Sequence, residues 1–121
     1  MQKLLLLFLF MMSVVCSHSQ QRNHSQKIRI IGNSWLAKVA ARINGQETYA
    51  VTIGRTIFVS CKKQDFFDKE WWVRHELTHV TQYQKLGVLR FLSLYVYYSV
   101  FHHHSENPFE KEAEDAEFSS D

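Results

Sequence analysis

Apolar and polar positions alternate along the chain with changing period, and each change marks a new element. Leu4 to Val15 is apolar except for Ser13, and the polar stretch Ser17-His18-Ser19-Gln20 follows it. Residues 20–27 carry no periodic apolar pattern and read as a mobile leader. Ile28 to Ile31 suits a short strand. Asn33 and Ser34 then offer capping side chains, and Trp35/Leu36, Val39/Ala40 and Ile43 recur at helical spacing until Asn44-Gly45. That pattern predicts a first helix of about three turns.

From Thr48 to Val59 the pattern changes to β-branched and aromatic residues around Gly54-Arg55, as in a β-hairpin or a kinked strand. The next helix is expected to be capped by Asp65, with Asp68 in its first turn. It should end near Leu86, with Gly87 left-handed after it. Val88 to Phe101 is apolar almost all round. Two expectations suit it: a helix buried between other elements, or an interfacial helix lying against lipid through Tyr95, Tyr97 and Tyr98. After Pro108 a last helix should run through Glu110, Ala113 and Glu117, leaving a frayed end at 119–121. The sum is a small α+β domain: a β-hairpin or small sheet over one long helix, with two or three further helices.

The first run changes the picture of compartment. Lys3 precedes a short apolar segment, and Ser17 and Ser19 are small residues suited to cleavage before Gln20, which is the plan of a signal peptide over residues 1–19. The segment is shorter than the roughly 20 residues a membrane span needs. A lipid anchor at Cys16 is the alternative, although Val14 and Val15 stand where small residues are usual. The expected organisation is therefore a signal peptide at 1–19, a leader at 20–27, a domain at 28–118 and a tail at 119–121. The formal charge of +2 drops by one when Lys3 leaves, so the chain has no electrostatic case for nucleic acid. Without Cys16, Cys61 is the remaining cysteine and cannot form an internal disulfide.

The chemistry concentrates in His75-Glu76-Leu77-Thr78-His79. Four residues on a helix advance about 400°, so the two histidines stand one above the other and can bind one ion. Glu76 sits beside them, placed to take a proton from a water that zinc would bring to a pKa of about 7. Val73, Leu77 and Val80 are expected to form the core side of this helix. A catalytic zinc normally has three protein ligands, so the acidic segment from Asn107 to Asp115 is where the third is sought. His102-His103-His104 compete, but three consecutive residues cannot all point one way, and they are taken as loop or supporting groups. Tyr83, Tyr95, Tyr97, Tyr98 and these histidines are all candidates to polarise a carbonyl, and spacing does not choose among them.

Three stretches carry a resemblance: Ile53 to Val59, Trp72 to Tyr83, and Asn107-Pro108-Phe109-Glu110-Lys111-Glu112-Ala113. Together they resemble small bacterial metallopeptidase-like proteins related to the extracellular contractile injection system core domain. The resemblance implies a minimal gluzincin-like fold in which a strand from the Thr48–Val59 region lies above the zinc helix and pairs with an extended substrate. It also implies a third ligand at Glu110, with Glu114, four residues on, orienting a ligand histidine. Aspartate is the more usual type at that last position. Helix geometry agrees, because Glu110 and Glu112 point about 200° apart and only one can face the metal. Glu110 borders the face shared by Phe109 and Ala113 and has Glu114 one turn beyond it. Glu112 is the alternative ligand.

The expected function is an exported zinc (Zn2+) hydrolase, a metallopeptidase acting on peptide or protein substrates with Glu76 as general base. The competing expectation is a zinc-stabilised binding or membrane-associated module without turnover, touching lipid through residues 88–101 or a lipidated Cys16. The acid beside the histidines and the absence of cysteine near them favour catalysis.

Overall fold

A computed structural model of the chain describes residues 27–103 and 106–119. The expected signal peptide, the lipidation candidate Cys16, most of the leader, His104 and the last residues of the tail lie outside these. The elements in order are β1 (Arg29–Ile31), α1 (Trp35–Asn44), β2 (Ala50–Ile53), β3 (Thr56–Val59), α2 (Lys63–Phe67), α3 (Glu70–Leu86), α4 (Val88–Phe101) and α5 (Pro108–Glu117). The fold is α+β, as expected.

The β-branched run forms the hairpin, with Ala50 opposite Val59 and Ile53 opposite Thr56. β1 adds to the far side of β3 in parallel, giving the order β1-β3-β2. Beyond β1 the chain stays close to this sheet: the Asn33 amide donates to the Cys61 carbonyl at 2.7 Å and the Ser34 amide to the Val59 carbonyl at 2.9 Å. Gly32 makes the approach feasible, since a Cβ there would lie 2.9 Å from the Lys63 backbone nitrogen.

Period-two alternation gives the sheet two apolar faces. One packs Val51 against Leu36 and Ala40 of α1. The other packs Ile57 and Val59 against Phe66 of α2 and Trp72 and Val80 of α3. A third cluster joins α3, α4 and α5 through Tyr83, Phe91 and Leu92, with Phe109 against it.

Several expected details differ. Asp65 and Asp68 do not open the long helix; they belong to the separate short helix α2, whose last turn ends at Asp68, and α3 starts after Lys69. Phe66 explains the break, because α2 must turn this ring into the sheet core at 0% exposure before the chain redirects into α3. Leu86 is the last residue of α3, but Gly87 has φ 80° and ψ 156°. That is an extended conformation open essentially to glycine alone, and it lets α4 begin at the next residue. α4 is not buried between other elements: Phe91 and Leu92 are buried, while Leu89, Tyr97 and Phe101 are exposed. Among the described residues no helix is long and apolar enough to cross a membrane.

Candidate metal centre

α5 lies antiparallel along α3. Gln82 bonds Phe109 and Glu112 near the start of α5, His75 bonds Glu117 near its end, and Arg74 bonds the Ser119 carbonyl beyond it. The starting point of α5 is fixed by Asn107, which is fully buried. Its side-chain oxygen accepts from the Phe109 amide at 3.0 Å, and its Nδ2 donates to the Tyr95 carbonyl at 3.2 Å and to Ser99 Oγ at 2.9 Å. Pro108 follows as the first helical residue, where its missing N–H costs nothing. One side chain thus caps α5, ties it to α4 and sets the height of Glu110.

At that height three donor groups converge. His75 Nε2 and His79 Nε2 are 3.1 Å apart, and the Glu110 carboxylate lies 3.3 Å from the first and 3.4 Å from the second. One ligand atom from each of the three residues falls within 4.8 Å of the others, so His75, His79 and Glu110 form a group that can hold a metal ion. His79 is 8% exposed and Glu110 6%, so the group sits at the bottom of its site rather than on a solvated face. Burial alone would raise the Glu110 pKa, but the bond to His75, the His79 ring and the bond from Tyr95 outweigh it and hold the carboxyl at about 2. Burial alone would lower the His75 pKa. The bond to Glu110, the charges of Glu76 and Glu110 and the bond to Glu117 reverse this and lift it to about 9.

The supporting contacts are more extensive than the expected ones. His75 Nδ1 meets Glu117 Oε1 at 2.7 Å, and His79 Nδ1 meets Gln82 Oε1 at 2.9 Å. Glu114, expected to hold a ligand histidine, is exposed and lines the neighbouring cavity instead. Glu112, the alternative ligand, bonds Gln82 at 2.8 Å and is outside the donor group. Tyr95 donates to Glu110 Oε1 at 2.6 Å, so its hydroxyl already has an acceptor. Its pKa is pushed well up, first by burial and then by the Glu110 charge. His102 packs against Tyr97 and Tyr98 and, like His103, is outside the donor group.

Glu76 is 6% exposed and receives a 2.6 Å hydrogen bond from Thr52 of β2. Both the sheet and α5 pack on this side of α3, so its buried positions are Trp72, Glu76, His79, Val80, Gln82 and Tyr83. Leu77, expected in the core, is exposed. Glu76 and the donor group open into a cavity of about 630 Å³, also lined by Tyr49, Trp71, Leu92 and Val96. The roles of Thr52, Gln82 and Glu117 were missed from sequence. The available signal was spacing: Glu117 stands seven residues after Glu110 and shares its helical face.

Residues 18–87, more than half of the chain, match the family model of the eCIS core domain. The chain belongs to the eCIS core domain family. No curated protein and no solved structure matches it. In this eCIS core chain the matched segment carries the sheet, His75, Glu76 and His79, and it stops at Gly87. Glu110, Glu112 and Glu117 lie beyond it, so the third donor is supplied by a helix that the family match does not include.

Proposed function

We propose that this eCIS core protein is a zinc-dependent hydrolase, a metallopeptidase acting on extended peptide segments. The supporting observation is the convergence of two imidazole nitrogens and one carboxylate beside Glu76 at the base of a cavity. The donor set fits zinc: nitrogen and oxygen ligands, three of them, with open space next to them, match a catalytic rather than a structural site. His75, His79 and Glu110 would hold the ion. A bound zinc supplies Lewis acidity and a water that ionises near neutral pH.

The remaining work falls to side chains of the chain itself. Glu76 accepts the proton from the attacking water and passes it to the departing amine. Thr52 holds one oxygen of that carboxylate, leaving the other for proton transfer. Tyr49 also lines the cavity, and its hydroxyl has no hydrogen bond among the described residues. Burial first, then the charges of Glu110 and Glu76, push its pKa up to about 12. The phenol therefore stays protonated and is suited to donate to a carbonyl oxygen gaining negative charge. Substrate alignment falls to β2, an edge strand. Tyr49 and Ser60 are joined through their backbone at 3.0 Å, so alternation directs the backbone groups of Ala50 and Thr52 to the outer edge, where an extended peptide can add as a strand.

The test is metal analysis of the purified protein beside a broad peptide-library assay, with Glu76→Gln as control. Zinc with cleavage in the parent, and zinc without cleavage in the variant, is the expected result. Zinc without cleavage in both would replace the hydrolase by a zinc-stabilised binding module.

A further inference from the structure

A neutral imidazole binds a metal through one nitrogen and keeps its proton on the other, so a ligand histidine needs something to decide which nitrogen is which. For His79 the structure holds that decision in Gln82. This residue is 3% exposed and lies one turn past His79 on α3. One end of its amide is 3.0 Å from the Phe109 carbonyl oxygen and 2.8 Å from a Glu112 carboxylate oxygen. Both partners accept, so this end must be the NH2 group, whichever way an amide might otherwise be turned. The other end is then the oxygen, 2.9 Å from His79 Nδ1. An amide oxygen accepts only, so Nδ1 must carry a hydrogen, and in the neutral ring that a metal needs Nε2 is left with the lone pair. That lone pair faces His75 Nε2 at 3.1 Å and Glu110 at 3.4 Å. Turning the amide round would set its oxygen against two acceptors, the Phe109 carbonyl and the Glu112 carboxylate, and leave its own buried NH2 without them.

The geometry points to Gln82, held by Phe109 and Glu112, as the positioning residue that fixes the tautomer of His79 and turns its Nε2 toward the cation. This rests on the reading of the cluster as a metal site. Its consequence is that docking of α5 does two things at once: it delivers Glu110 as a ligand, and through Phe109 and Glu112 it sets the His79 ring.

Two measurements test it on the full-length protein. Nitrogen-15 correlation NMR of the histidine rings, as purified and after zinc loading, should show the His79 proton on Nδ1 in both states. Zinc affinity by chelator competition should fall roughly 10–100-fold in Gln82→Met, which keeps the volume and removes the amide. Glu112→Gln, which still offers an oxygen to the Gln82 amide, should stay near the parent. A neutral His79 ring with its proton on Nε2, or a Gln82→Met variant that binds zinc like the parent, overturns the inference. If Gln82→Met does not fold, the ring spectrum of the parent decides alone. If the parent takes up no zinc, the metal reading fails while the position of the Nδ1 proton still decides the role of Gln82.

Discussion

Thr52 donates a 2.6 Å hydrogen bond to Glu76 across 24 residues of sequence, from the edge strand to the helix that carries the histidines. The sheet therefore does more than cover α3. It orients the one carboxylate of the HExxH motif that does not belong to the donor group. Thr52→Val keeps the β-branched shape and removes the donor, so peptide hydrolysis should fall about tenfold or more, with zinc content unchanged. Thr52→Ser should recover most of it. Equal rates in all three proteins would show that Glu76 needs no such support.

Glu110, Glu114 and Glu117 share one face of α5 at spacings of four and seven, and the structure gives them different surroundings. Glu110→Ala should lose most zinc binding. Glu117→Ala should weaken it roughly 10–100-fold by freeing the His75 ring, and Glu114→Ala should change it little. Chelator competition on the three variants measures the order. A Glu114→Ala loss exceeding that of Glu117→Ala would mean α5 sits one turn away from the place described here.

That prediction also marks how far the sequence could be read. Helix phase decides which residues share a face, so the pair His75/His79 was legible from spacing, while Glu110 came from the family resemblance with helix phase in agreement. Phase does not decide how far one helix slides along another. The slide is set by Asn107 gripping α4 and by Gln82 gripping Phe109 and Glu112, contacts made between segments distant in sequence. Glu117 and not Glu114 meets His75 for that reason. The division between α2 and α3 was hidden in a similar way. Asp65 and Asp68 look like a start signal for one helix, while the actual break serves to seat Phe66 in the sheet. Spacing groups Leu77 with Val73 and Val80, but it does not tell which side of α3 the sheet and α5 cover. Here the sheet and α5 enclose the motif face, and Leu77 is on the solvent side.

Tyr49 was not among the tyrosines singled out by spacing, yet it lines the cavity and, like Tyr83, has no hydroxyl hydrogen bond among the described residues. Tyr49→Phe should lower kcat by roughly 10²–10³-fold, as loss of an oxyanion donor does, with zinc affinity within about twofold because the phenol makes no hydrogen bond to a ligand among the described residues. An unchanged kcat would return the carbonyl-polarising role to another group.

The last prediction concerns pH and follows from His75. In the metal-free protein its pKa is about 9 against an ordinary 6.5: burial opposes the charged ring, but Glu110, Glu76 and Glu117 favour it more. A pKa raised by folding means that the folded state binds the proton more tightly than the unfolded one. The stability it contributes is fully present below about 6.5 and is lost as pH rises through about 9. Thermal unfolding of the metal-free protein should therefore shift to lower temperature across that window. Zinc works in the opposite sense, since it must displace this proton before it can use His75 Nε2. Its apparent affinity should rise with pH, by roughly tenfold per unit for a single displaced proton, and level off near 9. The stabilisation that zinc gives should accordingly be larger at pH 9 than at pH 6.5, read as the gap in melting temperature between loaded and metal-free protein. A gap that stays constant over this range would show that His75 carries no proton in the metal-free site, and a gap that narrows would show that zinc binding takes up a proton instead of displacing one.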